Sequence, residues 1–274
     1  MSLIFNNDQA WQTLKNGLIR LAKQEVQPRF RHVDPSTKAD GSILTEADTE
    51  MQKAVQSFLT EHWPQFMFLG EESSKEAQQT ALRSENGCWI LDPVDGTSNF
   101  ANDIPIYTVS LALVIQGDVQ VGMVYDPDRD ELFAARKGLG AEINGQPLRA
   151  RSAHTELKHC IGLVDFKRLQ PPLSTALVLK PPYASQRSIG SVALDWCWIA
   201  AGRGQLYCHG AQNIWDYAAG WLILNEAGGQ SATLQGESVL VPQVVKRSAV
   251  AASTPKLFQH WFETLQTYQQ SSKD

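Results

Sequence analysis

The stretch Cys88-Trp89-Ile90-Leu91-Asp92-Pro93-Val94-Asp95-Gly96-Thr97-Ser98-Asn99-Phe100 constrains this chain more than any other. An apolar run of strand character delivers Asp92 to a turn. Pro93 ends the ladder because it has no N–H to donate, and Asp95 sits at the exit. Gly96 lets the backbone bend tightly, so the amides of Gly96, Thr97 and Ser98 can face one spot. Two carboxylates beside free amides suit a hard cation held by oxygen next to an anion held by N–H groups. Magnesium with phosphate is the natural pair. Asp-Pro and Asp-Gly are also common turn dipeptides, so this stretch alone leaves a pair of Asx-turns open.

Other acids weigh against simple turns. Gly70-Glu71-Glu72-Ser73 follows the apolar run Phe66-Met67-Phe68-Leu69, and adjacent acids at a strand end are tolerated in solvent or around a cation. Asn213-Ile214-Trp215-Asp216 places an acid at the start of an apolar helix through Trp221, Leu222, Ile223, Leu224 and Ala227, closed by Gly228-Gly229. By itself, such an acid is equally a helix-dipole partner. Thr45-Glu46-Ala47-Asp48 fits a capping pattern ahead of Met51, Val55, Phe58 and Leu59, and a cap accounts for either residue alone.

Read in order, Glu-Glu, Asp-Pro-Val-Asp-Gly-Thr and Trp-Asp-Tyr-Ala-Ala-Gly resemble the inositol monophosphatase family of magnesium-dependent, lithium-sensitive phosphatases. The resemblance runs from Lys38 to Asn225-Glu226-Ala227-Gly228-Gly229. It implies an α+β fold, a layered αβαβα sandwich of the inositol monophosphatase / fructose-1,6-bisphosphatase type, with the site between two lobes. It also implies two to three Mg2+ ions. Glu71, Asp92 and the Val94 carbonyl would bind the first, Asp92, Asp95 and Asp216 the second, and Glu71 with waters a weaker third. Thr97 would orient the attacking water, with Asp48 accepting from its hydroxyl. The amides of Gly96, Thr97 and Ser98 would meet phosphate, and Glu72 would support the site from behind. Lys38 and Asp40 align with the family's mobile N-terminal segment, and a homodimer is the implied assembly.

Composition agrees with a soluble enzyme. The chain has 274 residues, 43% hydrophobic and 19% charged, enough for one large core or two joined lobes. A net charge of -5 argues against general nucleic-acid binding or an anionic membrane surface. No apolar run approaches a membrane span, and Met1 to Asn7 lacks the basic start of a signal peptide. Cys88, Cys160, Cys197 and Cys208 have no metal-type spacing and read as buried thiols of a reducing cytoplasm. Strand-like runs at 66–69, 88–92, 107–115, 119–125 and 131–135, joined by short turns, predict an antiparallel sheet with two N-terminal helices against it. This gives an N-terminal lobe of residues 1–146. Residues 147–274 form a second lobe of shorter strands and helices near 192–203, 215–227 and 255–268, with irregular surface connections at the proline-rich 170–172 and 180–183.

Three kinds of activity fit a carboxylate-rich site. An active phosphomonoesterase needs the ligand set and Thr97 intact, and both are. A catalytically silent metal-binding regulator predicts damage to that set, and none is visible. A metal-free hydrolase using two acids predicts activity that survives chelation. The substrate is expected to be a small phosphorylated metabolite. Ser188 to Leu194 aligns with the family's substrate side, where Gly190 and Ser191 could approach a hydroxylated ligand. Inositol-specific members carry an acid seven positions before the last aspartate, and here that position is His209. This substitution predicts weaker polyol recognition, and Lys167 and Arg168, in the connection that family members use to wall the pocket, could supply the charge for a second phosphate. Inositol monophosphatase activity is the leading expectation. The 3'(2'),5'-bisphosphate nucleotidase, histidinol-phosphatase and fructose-1,6-bisphosphatase activities are the alternatives.

Overall fold

The computed structural model describes residues 4–32, 35–37 and 43–270, so Lys38 and Asp40 lie outside the described residues. Helix α1 (Asp8–Glu25) turns Trp11, Leu14, Leu18 and Leu21 to one buried face. A two-residue pair, β1 (Ser36–Thr37) with β2 (Ile43–Leu44), precedes α2 (Glu46–His62). Thr45 caps α2 in a capping box with Asp48, as its sequence predicts.

Next come β3 (Met67–Gly70), α3 (Lys75–Leu82), β4 (Cys88–Asp95), α4 (Thr97–Ala101), β5 (Thr108–Ile115) and β6 (Asp118–Asp126). Strands β7 (Glu131–Arg136), β8 (Gly140–Ile143) and β9 (Gln146–Leu148) follow, and β3 to β9 lie side by side in one seven-stranded sheet. Contrary to the expected all-antiparallel sheet, β3 and β4 are parallel. Parallel neighbours need a crossover, and the unanticipated α3 supplies it. Strand β4 also runs on through Pro93. Asp92 pairs with Ser110 and Asp95 with Thr108, so one extra residue bulges between them. A bulge is where a strand accepts a residue without an N–H, and it turns Asp95 toward the strand's end.

The second half contains β10 (Ile161–Asp165), α5 (Pro171–Leu179), β11 (Ser185–Arg187), α6 (Val192–Ala200), β12 (Leu206–Gln212), α7 (Ile214–Ala227), β13 (Gln230–Ala232), β14 (Arg247–Ala252) and α8 (Pro255–Gln270). Its five strands are ordered β11-β10-β12-β14-β13. Helix α5 replaces the irregular connection expected after Gln170. Its prolines occupy the first turn, where a missing N–H costs nothing, and Leu173 and Leu177 are buried.

Strand alternation sorts the layers. Trp89, Leu91, Val109 and Leu111 face α1 and α2, while Ile90, Ala112 and Val114 face α6 and α7. Leu163 and Tyr207 of the second sheet close the same middle layer from the other side, and Val164, Leu206 and Cys208 turn outward to α5 and α8. The order is therefore αβαβα. Strand β9 completes the first sheet two residues beyond 146, and α6 and α7 share the core of that sheet, so the two halves are packed through one middle layer.

Candidate active site

A cavity of about 850 Å3 opens where β4, α4, α6, β12 and α7 meet. Glu71, Asp92, Asp95 and Asp216 all line it, together with Val94, Gly96, Thr97 and Ser98. Glu71 is placed by its amide on Leu91 O (3.0 Å) and by Gln78 Nε2 on its carbonyl (3.1 Å). Gly96 has φ 93°, and a Cβ there would lie 2.9 Å from Ile106 O. Only glycine fits that turn. Helix α4 begins at the next residue, so the amides of its first turn lie at the cavity without intrahelical acceptors.

The acids are held differently. Asp95 Oδ2 accepts from Ser191 Oγ (2.5 Å) and Ala193 N (2.7 Å), and Oδ1 from Val192 N (3.2 Å), so this carboxylate sits on the N-terminus of α6. Asp216 Oδ2 accepts from Asn213 N at 2.7 Å within a capping box. Among the described residues Asp92 Oδ1 accepts only from Val94 N, at 3.2 Å. Among the described residues no cationic side chain bonds to any of these three, and no three His, Cys, Asp or Glu groups already converge as a metal cage. Burial, then the charges of Glu71, Asp95 and Asp216, push the Asp92 carboxyl well above the usual range. Burial raises Asp95 to about 6 against its three hydrogen bonds. Burial and the Asp95 charge likewise raise Asp216.

Asp48 lies behind this floor, fully buried and outside the cavity wall. It accepts from Thr45 N (2.8 Å) and Thr45 Oγ1 (2.6 Å), and burial still raises it to about 6. Thr97 Oγ1 stands 2.9 Å from Val94 O and 3.3 Å from Asp48 Oδ1. One hydroxyl proton faces two acceptors, and the shorter contact is to Val94.

The Inositol monophosphatase family profile matches residues 7–270. Inositol monophosphatase 1 of Solanum lycopersicum is 36% identical over 237 residues, 84% of each chain. Nus factor SuhB of Pasteurella multocida is 35% identical over 205 residues, 73% of this chain and 74% of that protein. Among solved structures, Thermotoga maritima IMPase TM1415 superposes with a TM-score of 0.82 at 26% identity, covering 97% of this chain and all of that one.

The chain belongs to the inositol monophosphatase family. It is accordingly a phosphatase, a phosphoric monoester hydrolase on the layered fold of that family.

On the substrate side, the structure brings Gly190, Ser191, Lys167, Arg168 and His209 to the same cavity. Their roles differ from the expectation. His209 is only 1% exposed, and its Nδ1 accepts from Ala211 N at 3.2 Å. The neutral ring therefore carries its proton on Nε2, which lies 3.2 Å from Asp165 Oδ2, off the ideal hydrogen-bond line. Burial lowers the imidazole despite Asp165, so the ring is neutral near pH 7. Nδ1 of His209 is thus committed to the backbone, and Nε2 is directed at Asp165. Arg168 is also committed, with Nη1 2.6 Å from Asp165 Oδ2. Burial alone would raise Asp165, but the His209 and Arg168 contacts outweigh it and hold the carboxyl well below the ordinary range. With His209 neutral, Arg168 provides the charge.

Sequence reasoning missed Asp165, Asp195, Lys75 and Lys246 as cavity residues. Asp195 follows Ser191 by one turn of α6, and its buried Oδ1 has no partner among the described residues. Nothing in its local pattern marks it. Asn213 could have been found, because Asn213 and Asp216 have capping-box spacing.

Proposed function

We propose that this chain is a magnesium-dependent phosphomonoesterase acting on a small phosphorylated metabolite, with inositol monophosphate as the leading substrate. One observation carries the reading. Glu71, Asp92, Asp95 and Asp216 line a single cavity with the first-turn amides of α4, and no cationic side chain among the described residues bonds Asp92, Asp95 or Asp216. A hard divalent cation fits such an all-oxygen donor set, whereas zinc would favour histidine or cysteine. Glu71, Asp92, Asp95, Asp216 and the Val94 carbonyl would hold it. When bound, magnesium supplies Lewis-acid charge neutralisation and a water of lowered pKa.

The protein's own groups account for the rest. The amides of Gly96, Thr97 and Ser98 bind phosphate oxygens at the helix start. The Thr97 hydroxyl, set between Val94 O and Asp48, positions the attacking water, and Asp48 orients that hydroxyl from behind. A second reading, a bisphosphate substrate, draws on Lys167 and Lys246, which line the cavity without an ion-pair partner among the described residues. The test is a kinetic panel of inositol 1-phosphate, 3'-phosphoadenosine 5'-phosphate, histidinol phosphate and fructose 1,6-bisphosphate at matched magnesium. The highest kcat/KM is expected for inositol 1-phosphate. A strong preference for either bisphosphate would transfer the assignment to the second reading.

A further inference from the structure

Asp165 and His209 sit opposite each other where the parallel pairing of β10 with β12 ends. Both face the middle layer, in the same alternation as Leu163 and Tyr207. The 166–168 turn after Asp165 is pressed onto β12, because a Cβ at Gly210 would meet Arg168 O. Arg168 Nη1 (2.6 Å) and His209 Nε2 (3.2 Å) both approach Oδ2 of Asp165. The other oxygen, Oδ1, has no partner among the described residues, although Asp165 lines the cavity beside Gly190 and Asp216. The carboxylate is thus fixed through one oxygen and open through the other.

We propose that Asp165 recognises the alcohol part of the substrate, with Oδ1 accepting a hydrogen bond from a substrate hydroxyl. A carboxylate is an acceptor only, so it selects a donor. Arg168 already balances its charge, which favours a neutral hydroxyl over an ammonium group. The same ion pair withdraws Arg168 from any second phosphate and sets a carboxylate oxygen where that phosphate would be repelled. The substrate class is then a polyhydroxylated monophosphate. This rests on the phosphatase reading and narrows it.

The test compares Asp165→Ala with wild type on inositol 1-phosphate and on p-nitrophenyl phosphate, which has no alcohol hydroxyl. Loss of one charged hydrogen bond should lower kcat/KM for inositol 1-phosphate roughly 10- to 100-fold, mainly through KM. Activity on p-nitrophenyl phosphate should stay within about twofold, which also reports intact folding. Asp165→Asn, which keeps an acceptor oxygen, should fall between. Equal losses on both esters, or no loss on inositol 1-phosphate, would overturn the proposal. Wild-type protein inactive on both esters with magnesium would overturn the underlying phosphatase reading instead, and so is told apart.

Discussion

Ser191 donates its hydroxyl to Asp95 at 2.5 Å, tying the end of a strand in the first sheet to the first turn of α6. This contact positions one acid of the cavity from the opposite half of the chain. Ser191→Ala would leave Asp95 with its two backbone donors and remove one buried, charge-assisted bond. Stability should fall by about 2 kcal/mol, read as a Tm drop of several degrees. An unchanged Tm would show that the hydroxyl does not bear on the junction.

Among the described residues Asp92 has a single donor, Val94 N, and Glu71, Asp95, Asp216 and Asp48 all add like charge around it. Asp92→Asn should lower turnover by two or more orders of magnitude, since a cation would lose a ligand. In EDTA its Tm should equal or exceed that of wild type, because a buried repulsion is relieved. Near-normal turnover in a folded Asp92→Asn protein would remove Asp92 from the site.

Thr97 has a separate role in the proposal. Thr97→Ser keeps a hydroxyl between Val94 O and Asp48 and should retain most activity. Thr97→Val should cut kcat about 100-fold or more with little change in KM, since only water positioning is lost. Equal activity in the two variants would contradict that role.

The raised acids make a prediction about pH. Asp48 and Asp95 titrate near 6 in the folded protein against an ordinary 3.8, and Asp92 and Asp216 are also raised. Between those values the folded state binds more protons than the unfolded chain, so stability falls as pH rises. Asp165 is shifted the other way, and its contribution is lost only as pH drops below the ordinary carboxylate range. Metal-free protein should therefore melt at higher temperature at pH 5 than at pH 7.5, and magnesium should flatten the difference. A metal-free Tm that rises from pH 5 to 7.5 would contradict the buried-acid account.

Lithium sensitivity follows from the family resemblance. Millimolar lithium should inhibit uncompetitively with respect to the phosphate ester. Absence of inhibition would point to a second cation position built differently.

Much of this architecture was legible from local pattern. The Thr45 and Asn213 caps, the Gly96 turn and the apolar alternation of β4 to β7 all write their geometry into neighbouring residues. The layered sandwich itself came from three motifs in order. The errors have physical sources. Pro93 reads as a strand end, but a bulge absorbs its missing donor. The parallel β3–β4 pair is hidden because α3 has few apolar residues to signal a crossover. His209 does line the cavity, but its neighbour across the sheet, Asp165 on β10, cannot be read from local sequence. Only the register with Asp165 shows that Nε2 of the imidazole stands beside a carboxylate while Nδ1 is held by the Ala211 amide. Asp195 leaves no local trace, since its burial depends on long-range packing.

The central claim is that these carboxylates serve a cation required for phosphate-ester hydrolysis. It is tested most directly by following phosphate release from inositol 1-phosphate by wild-type protein in EDTA and after magnesium is restored. The account predicts no turnover in EDTA and full recovery with excess magnesium. Hydrolysis that persists unchanged in EDTA would contradict it and identify a metal-free carboxylate hydrolase.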